Sequence, residues 1–132
     1  MRLHHTNDGI CPLCAEKLKL ADARLETWFL QIKSEFSDVH ISCSYRGEKE
    51  QNEAFKEGFS RARYPLSKHN ATDSKGNPCA LALDVFQLKE NAAWFDRAYF
   101  KAIAESGVTR SSAIKWGGTF KNISDLCHFE LA

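Results

Sequence analysis

The sequence predicts an α+β fold in which helices interleave with short strands. Three segments, residues 15–36, 48–59 and 92–106, carry their apolar side chains on one helical face. Between and after them lie short runs that either alternate in polarity or are continuously apolar, the patterns of half-buried and buried strands. At 132 residues the chain is one domain's worth, long enough to bury a core. A net charge of +1 argues against nucleic acid as a partner, which normally requires a basic excess. No apolar run approaches the length of a membrane span, so no membrane anchor is expected.

The chain opens with His4 and His5, then Asn7-Asp8-Gly9, then Cys11-Pro12-Leu13-Cys14. Two thiolates flanking a two-residue turn can share one tetrahedral ion, with an adjacent imidazole as third ligand. Cys11, Cys14, His4 and His5 are therefore a candidate second metal site. The rival redox reading of Cys-x-x-Cys wants a strand before it and a helix after, and only the helix is plausible here. Five cysteines are an odd number with no export signal, which favours reduced thiols or metal ligation over a disulfide framework. The N-terminus lacks the apolar segment of a signal peptide, so a cytoplasmic location is expected.

Over 15–36, Leu18, Ala21, Leu25, Trp28, Phe29 and Ile32 recur at helical steps, and packing is their expected role. Residues 38–44 alternate, with Val39, Ile41 and Cys43 on the apolar side. His40 falls on the polar side and is expected to be solvated. The helix over 48–59 is expected to turn Ala54, Phe55, Gly58 and Phe59 inward. Arg46 sits at the strand-to-helix junction, where a guanidinium suits a carboxylate or a developing oxyanion. A surface arginine paired with Glu48 or Glu50 is the plainer alternative.

Pro65 ends any helical continuation, and 70–78 is a polar, turn-rich loop. Residues 80–88 read as a buried strand carrying Asp84. A carboxylate inside an apolar strand is costly unless it is paired, hydrogen-bonded or bound to a metal. The helix over 92–106 places Trp94, Phe95, Ala98, Tyr99, Ala102 and Ile103 on its apolar side, with Gly107 as its stop. Short strands follow at 113–116, ending at Gly117-Gly118, and at 127–131. Residues 1–36 read as an N-terminal segment and helix packed on a core of 37–132, one compact domain in all.

His69, Asp84 and His128 offer two imidazoles and a carboxylate, with Asp125 three residues before the second histidine. Three protein ligands and one open position distinguish a catalytic zinc from a closed structural one. The residues alone thus suggest a small zinc hydrolase. A lone His69 at the surface, or satisfied in a core, is the plain alternative.

Four pieces in order carry a resemblance: Ser44-Tyr45-Arg46 with Glu50-Gln51, Ser67-Lys68-His69, Ala82-Leu83-Asp84, and Trp116-Gly117-Gly118 with residues 125–130. The chain from about 42 to 131 resembles the zinc D,D-carboxypeptidase and L-alanyl-D-glutamate endopeptidase family of peptidoglycan peptidases, which includes phage endolysins. The resemblance implies a small antiparallel sheet with packed helices, the hedgehog/DD-peptidase-like fold. It implies one catalytic zinc on His69, Asp84 and His128, Asp125 as general base and Arg46 near the scissile carbonyl. Ser67, Gln51, Trp116 and Glu130 match positions beside substrate or ligands. Glu130 is the rival base, although on a strand it shares the side of His128 and could orient that ligand instead. Fourteen residues separate His69 from Asp84, more than the family's common pattern has. The extra 72–78 segment fits if it bulges outward as a surface excursion.

The implied substrate is the stem peptide of the bacterial cell wall, with phage or prophage lysis after holin-assisted release as the expected setting. The competing class is a non-catalytic zinc-containing binding module on the same fold.

Overall fold

Four strands, β1 (Val39–Cys43), β2 (Ala82–Gln87), β3 (Ile114–Trp116) and β4 (His128–Leu131), form one antiparallel sheet in the order β1-β2-β4-β3. The computed structural model describes residues 10–93, 96–120 and 125–132. Register divides the sheet into two faces. Ile41 pairs with Val85, Leu83 with Phe129, Trp116 with Phe129 and Ile114 with Leu131, so these residues share one face. On the other, His40 pairs with Phe86, Asp84 with His128 and Ala82 with Glu130. One face is greasy and the other carries the candidate site residues Asp84, His128 and Glu130.

Two helices, α1 (Pro12–Leu18) and α2 (Ala23–Glu35), replace the single helix expected over 15–36. The break has a local cause. Ala80 donates to the carbonyl of Leu20 and accepts from the N–H of Asp22, both at 2.9 Å, so the connector is drawn out to bridge the start of β2. Asp22 then caps α2, accepting the N–H of Arg24 at 2.8 Å. From α2, Leu25, Trp28, Phe29 and Ile32 are all buried in a core cluster with Val39, Ile41, Leu83, Val85 and Phe129. The Trp28 ring packs 5.1 Å from that of Phe129, and its indole N–H reaches Thr109 Oγ1 at 2.9 Å. The core therefore draws on residues both before and after position 37.

Helix α3 (Glu48–Lys56) is shorter than expected, and its inward residue is Gln51, not the C-terminal aromatics. Phe59 lies outside the helix and is 78% exposed, because the chain turns at Gly58 with φ of 83°. Ala54 and Phe55 are half-buried. Helix α4 (Arg97–Glu105) starts later than residue 92, and Phe100 and Ile103 are its buried residues while Ala98 and Ala102 face solvent. Trp94 and Phe95 lie outside the described residues. Ser106 ends α4 and caps α5 (Gly107–Ser111), so Gly107 begins a short helix where it was expected only to end one. Residues 72–78 are exposed and closed by a bridge between Thr72 and Pro78, so the long connection leaves the sheet untouched. Among the described residues no helix is long and apolar enough to cross a membrane.

Candidate active site

Asp84 and His128 stand directly opposite on β2 and β4, with Asp84 Oδ1 3.0 Å from His128 Nδ1. His69 arrives from outside the sheet, on a 3₁₀ turn (Lys68–Asn70), and its Nε2 lies 3.2 Å from the same Oδ1. That turn is held from several sides. Ser67 Oγ accepts the N–H of His69 at 3.1 Å, and Asn70 Oδ1 accepts the N–H of Ser67 at 3.0 Å, a reciprocal cap. The Arg46 N–H donates to the carbonyl of His69 at 2.8 Å, and Leu81 donates to that of Lys68 at 2.9 Å.

The outer nitrogens decide the tautomers. His69 Nδ1 donates to the Ser44 carbonyl at 2.6 Å, and His128 Nε2 donates to Glu130 Oε1 at 2.8 Å. A carbonyl and a carboxylate only accept, so both outer nitrogens carry protons. The inner Nε2 of His69 and Nδ1 of His128 face the Asp84 carboxylate, where each donates a proton to it or, with a cation held among the three, presents a lone pair to that cation. Imidazoles that ligate metals are oriented in this way, each by an acceptor on its far nitrogen. The donor set fits a divalent cation such as zinc.

Charge says the same. Burial disfavours a cation on His69, yet Asp84 outweighs it and lifts the imidazole to about 10. Burial also opposes charge on His128, but hydrogen bonds to Asp84 and Glu130 carry it to about 9. Asp84 would be raised by burial, and the two imidazoles instead hold it far below the carboxylate range. The site is built to hold positive charge, whether as protons or as a metal ion.

Asp125 lies at the open side, 44% exposed, with Oδ2 3.9 Å from His128 Nδ1. Burial, then the charge of Asp84, raises its pKa. Its backbone is fixed by Gly117, whose carbonyl accepts the Asp125 N–H at 3.0 Å. A Cβ on Gly117 would fall 2.2 Å from the Asp125 carbonyl oxygen and 3.0 Å from His128 Cβ, so glycine is required for this approach.

The remaining expected site residues occupy supporting places. Trp116 lies on the apolar face, 8% exposed, and its indole N–H donates to the Leu126 carbonyl at 2.7 Å. It braces the turn that carries Asp125. Gln51 is fully buried, donating to Ser60 Oγ and the Ala62 carbonyl and accepting from Asn70 Nδ2 at 3.2 Å. Arg46 is half-buried, and its Nε–H is a buried donor with no partner among the described residues. Three contributors carry no sequence signal of their own. The Ser44 carbonyl acts through its backbone, and Lys68 binds Glu130 Oε2 at 2.8 Å and the Leu131 carbonyl across the sheet edge. Cys43 Sγ approaches His69 Nδ1 at 3.8 Å because β1 bulges after Ile41.

A second cluster lies at the other end of β1. Cys11, Cys14 and His40 place their ligand atoms within 4.8 Å of one another, as do Cys43, His69 and Asp84, and Asp84, Asp125 and His128. His40 is 1% exposed, contrary to the solvated place its alternation predicted, because α1 covers that part of the strand. His4 and His5, the expected ligand partners of the two cysteines, lie outside the described residues.

No protein-family model and no curated protein matches the chain. Among solved structures, the L-Ala D-Glu endopeptidase ChiX of Serratia marcescens is similar, with a TM-score of 0.69 and 21% identity. The match covers 90% of this chain and 86% of that one. The two proteins share a fold.

Proposed function

We propose that this chain is a zinc-dependent peptidase that cleaves peptidoglycan stem peptides, of the L-Ala–D-Glu endopeptidase or D-Ala–D-Ala carboxypeptidase type. One observation carries the reading: two imidazoles, each oriented by an acceptor on its far nitrogen, turn their near nitrogens onto one carboxylate oxygen. The shared fold with a peptidoglycan endopeptidase supports the substrate class.

His69 through Nε2, His128 through Nδ1 and the Asp84 carboxylate would hold the zinc. Bound there, zinc supplies Lewis acidity toward water and a peptide carbonyl. Asp125 is placed to take the proton of the attacking water and hand it to the leaving amine, since its carboxylate is exposed beside the ligands. The unpartnered Nε–H of Arg46 is a donor for charge developing on the carbonyl oxygen, or for a substrate carboxylate. Glu130 and the Ser44 carbonyl keep the imidazoles from turning. A non-catalytic zinc module on this fold would leave Asp125 and the Arg46 donor without a task.

The test is incubation of the purified protein with peptidoglycan, with released peptides identified by mass spectrometry. We expect chelation to stop cleavage and zinc to restore it, while Asp125→Ala abolishes turnover with metal content unchanged. Full activity in Asp125→Ala, or cleavage indifferent to chelator, would overturn the proposal.

A further inference from the structure

Cys11 caps α1, and Cys14 stands three residues on, so both sulfurs face the same side of the chain. His40 Nδ1 lies 3.5 Å from Cys11 Sγ and 3.5 Å from Cys14 Sγ. A single ring nitrogen has one in-plane lone pair or one proton, and either can be directed at only one sulfur. Equal approach to both is poorly explained by a hydrogen bond. It is the arrangement expected around an ion between them: with Zn–S of about 2.3 Å and Zn–N of about 2.05 Å, tetrahedral angles place sulfur and nitrogen about 3.5 Å apart.

The surroundings agree. All three residues are 1% exposed, so an ion held among them would be sealed from bulk solvent. The amide of Ile41 donates to Cys14 Sγ at 3.3 Å, and that of Cys14 donates to Cys11 Sγ at 3.5 Å. Amides aimed at sulfur stabilise thiolate charge, as outer hydrogen bonds do around metal ligands. Lys33 Nζ is held by the carbonyls of Ser37 at 2.6 Å and Val39 at 2.8 Å, and approaches His40 Nε2 only at 3.4 Å. An ammonium only donates, so ligation through Nδ1, which puts the ring proton on Nε2, requires Lys33 to give up this longest contact and rest on the two carbonyls. A redox role fails on access, because an exchanging Cys-x-x-Cys needs an exposed thiolate.

We propose that Cys11, Cys14 and His40 are three ligands of a second, structural zinc ion that fastens α1 to β1. Burial distinguishes it from the centre at Asp84, which is open to solvent on the Asp125 side. The ion would also serve that centre at a distance. His40 and Ser44 lie on one continuous stretch of chain, and the Ser44 carbonyl orients His69. Pinning the start of β1 limits how far its end can drift.

Cobalt(II) replacing zinc in the full chain separates the two centres, because only sulfur ligation gives strong near-ultraviolet charge-transfer absorption. We expect this band in the wild-type protein with two metal ions per chain. Cys11→Ser and Cys14→Ser should each weaken it, and His40→Ala should lower the metal content by one ion. His69→Ala should also lose one ion but keep the band intact. Cobalt-loaded wild-type protein with no thiolate band would overturn the proposal, and that reading needs no variant to fold. So would a band that survives loss of Cys11 and Cys14 but disappears in a Cys43→Ser/Cys127→Ser variant.

Discussion

Asp84 shows what a single buried charge asks of its neighbours. Its side chain is 17% exposed and receives both imidazoles, so the cost of placing a carboxylate in an apolar strand is offset by charge-assisted bonds. Glu130 is next in importance. Burial alone would raise it, but hydrogen bonds from His128 and Lys68 hold it at about 2, so it stays an anionic acceptor. Replacing it by glutamine keeps the size and removes the charge that orients His128. We expect Glu130→Gln to weaken zinc binding about 10- to 100-fold, read by competition with a chromophoric chelator. Unchanged affinity would reduce Glu130 to a partner for Lys68. Asp84 was legible as a costly residue in an apolar run. The Ser44 carbonyl was not, since every residue has one and only folding selects it.

Elements place these residues through close approach and capping. The turn after β3 must bring Asp125 and His128 against the chain at Gly117, where no side chain fits. Gly117→Ala would push the Asp125 backbone away from its position. A displacement on the order of 1 Å at the proposed general base predicts a loss of activity on the order of 100-fold, measured as kcat/KM. Trp116 supports the same turn from beneath through Leu126. At the other side of the molecule, Asp22 caps α2 and makes the connector end where it does. Asp22→Ala should cost about 1 kcal/mol in urea unfolding at neutral pH. Arg24 beside Asp22 holds its carboxyl below the usual value, despite partial burial. Its charge therefore contributes stability above the unfolded pKa of about 3.9 and loses it as pH falls through the lower folded value, so the mutant and wild type should converge in strong acid. What hid the helix break was that the apolar spacing continues through it, and the break depends on Ala80, far along the chain.

For the whole molecule, the sheet separates a greasy face, packed on α2, from a face that carries Asp84 and His128. With zinc held as proposed, metal binding would be coupled to folding, because His69, Asp84 and His128 come from segments far apart in sequence. Zinc at 100 times its dissociation constant should add about 2.7 kcal/mol per site that binds only the folded chain. Calorimetry with and without chelator should show a clear fall in Tm when metal is removed. A Tm indifferent to chelator would mean that no metal binds the folded chain in preference to the unfolded one.

The sequence by itself determined the α+β class, the four strands and which residues were chemically costly, because apolar periodicity and misplaced charge are local properties of the chain. It also marked Cys11 and Cys14 as ligand candidates. Tertiary structure alone brought His40 beside them. His40 alternates as a solvent-facing residue along β1, and it is buried only because α1 lies over that side of the strand. Phe59 errs the other way, apolar by composition and exposed because the helix ends before it. Local pattern says which side of an element a residue occupies, and packing of distant elements decides whether that side meets water or protein.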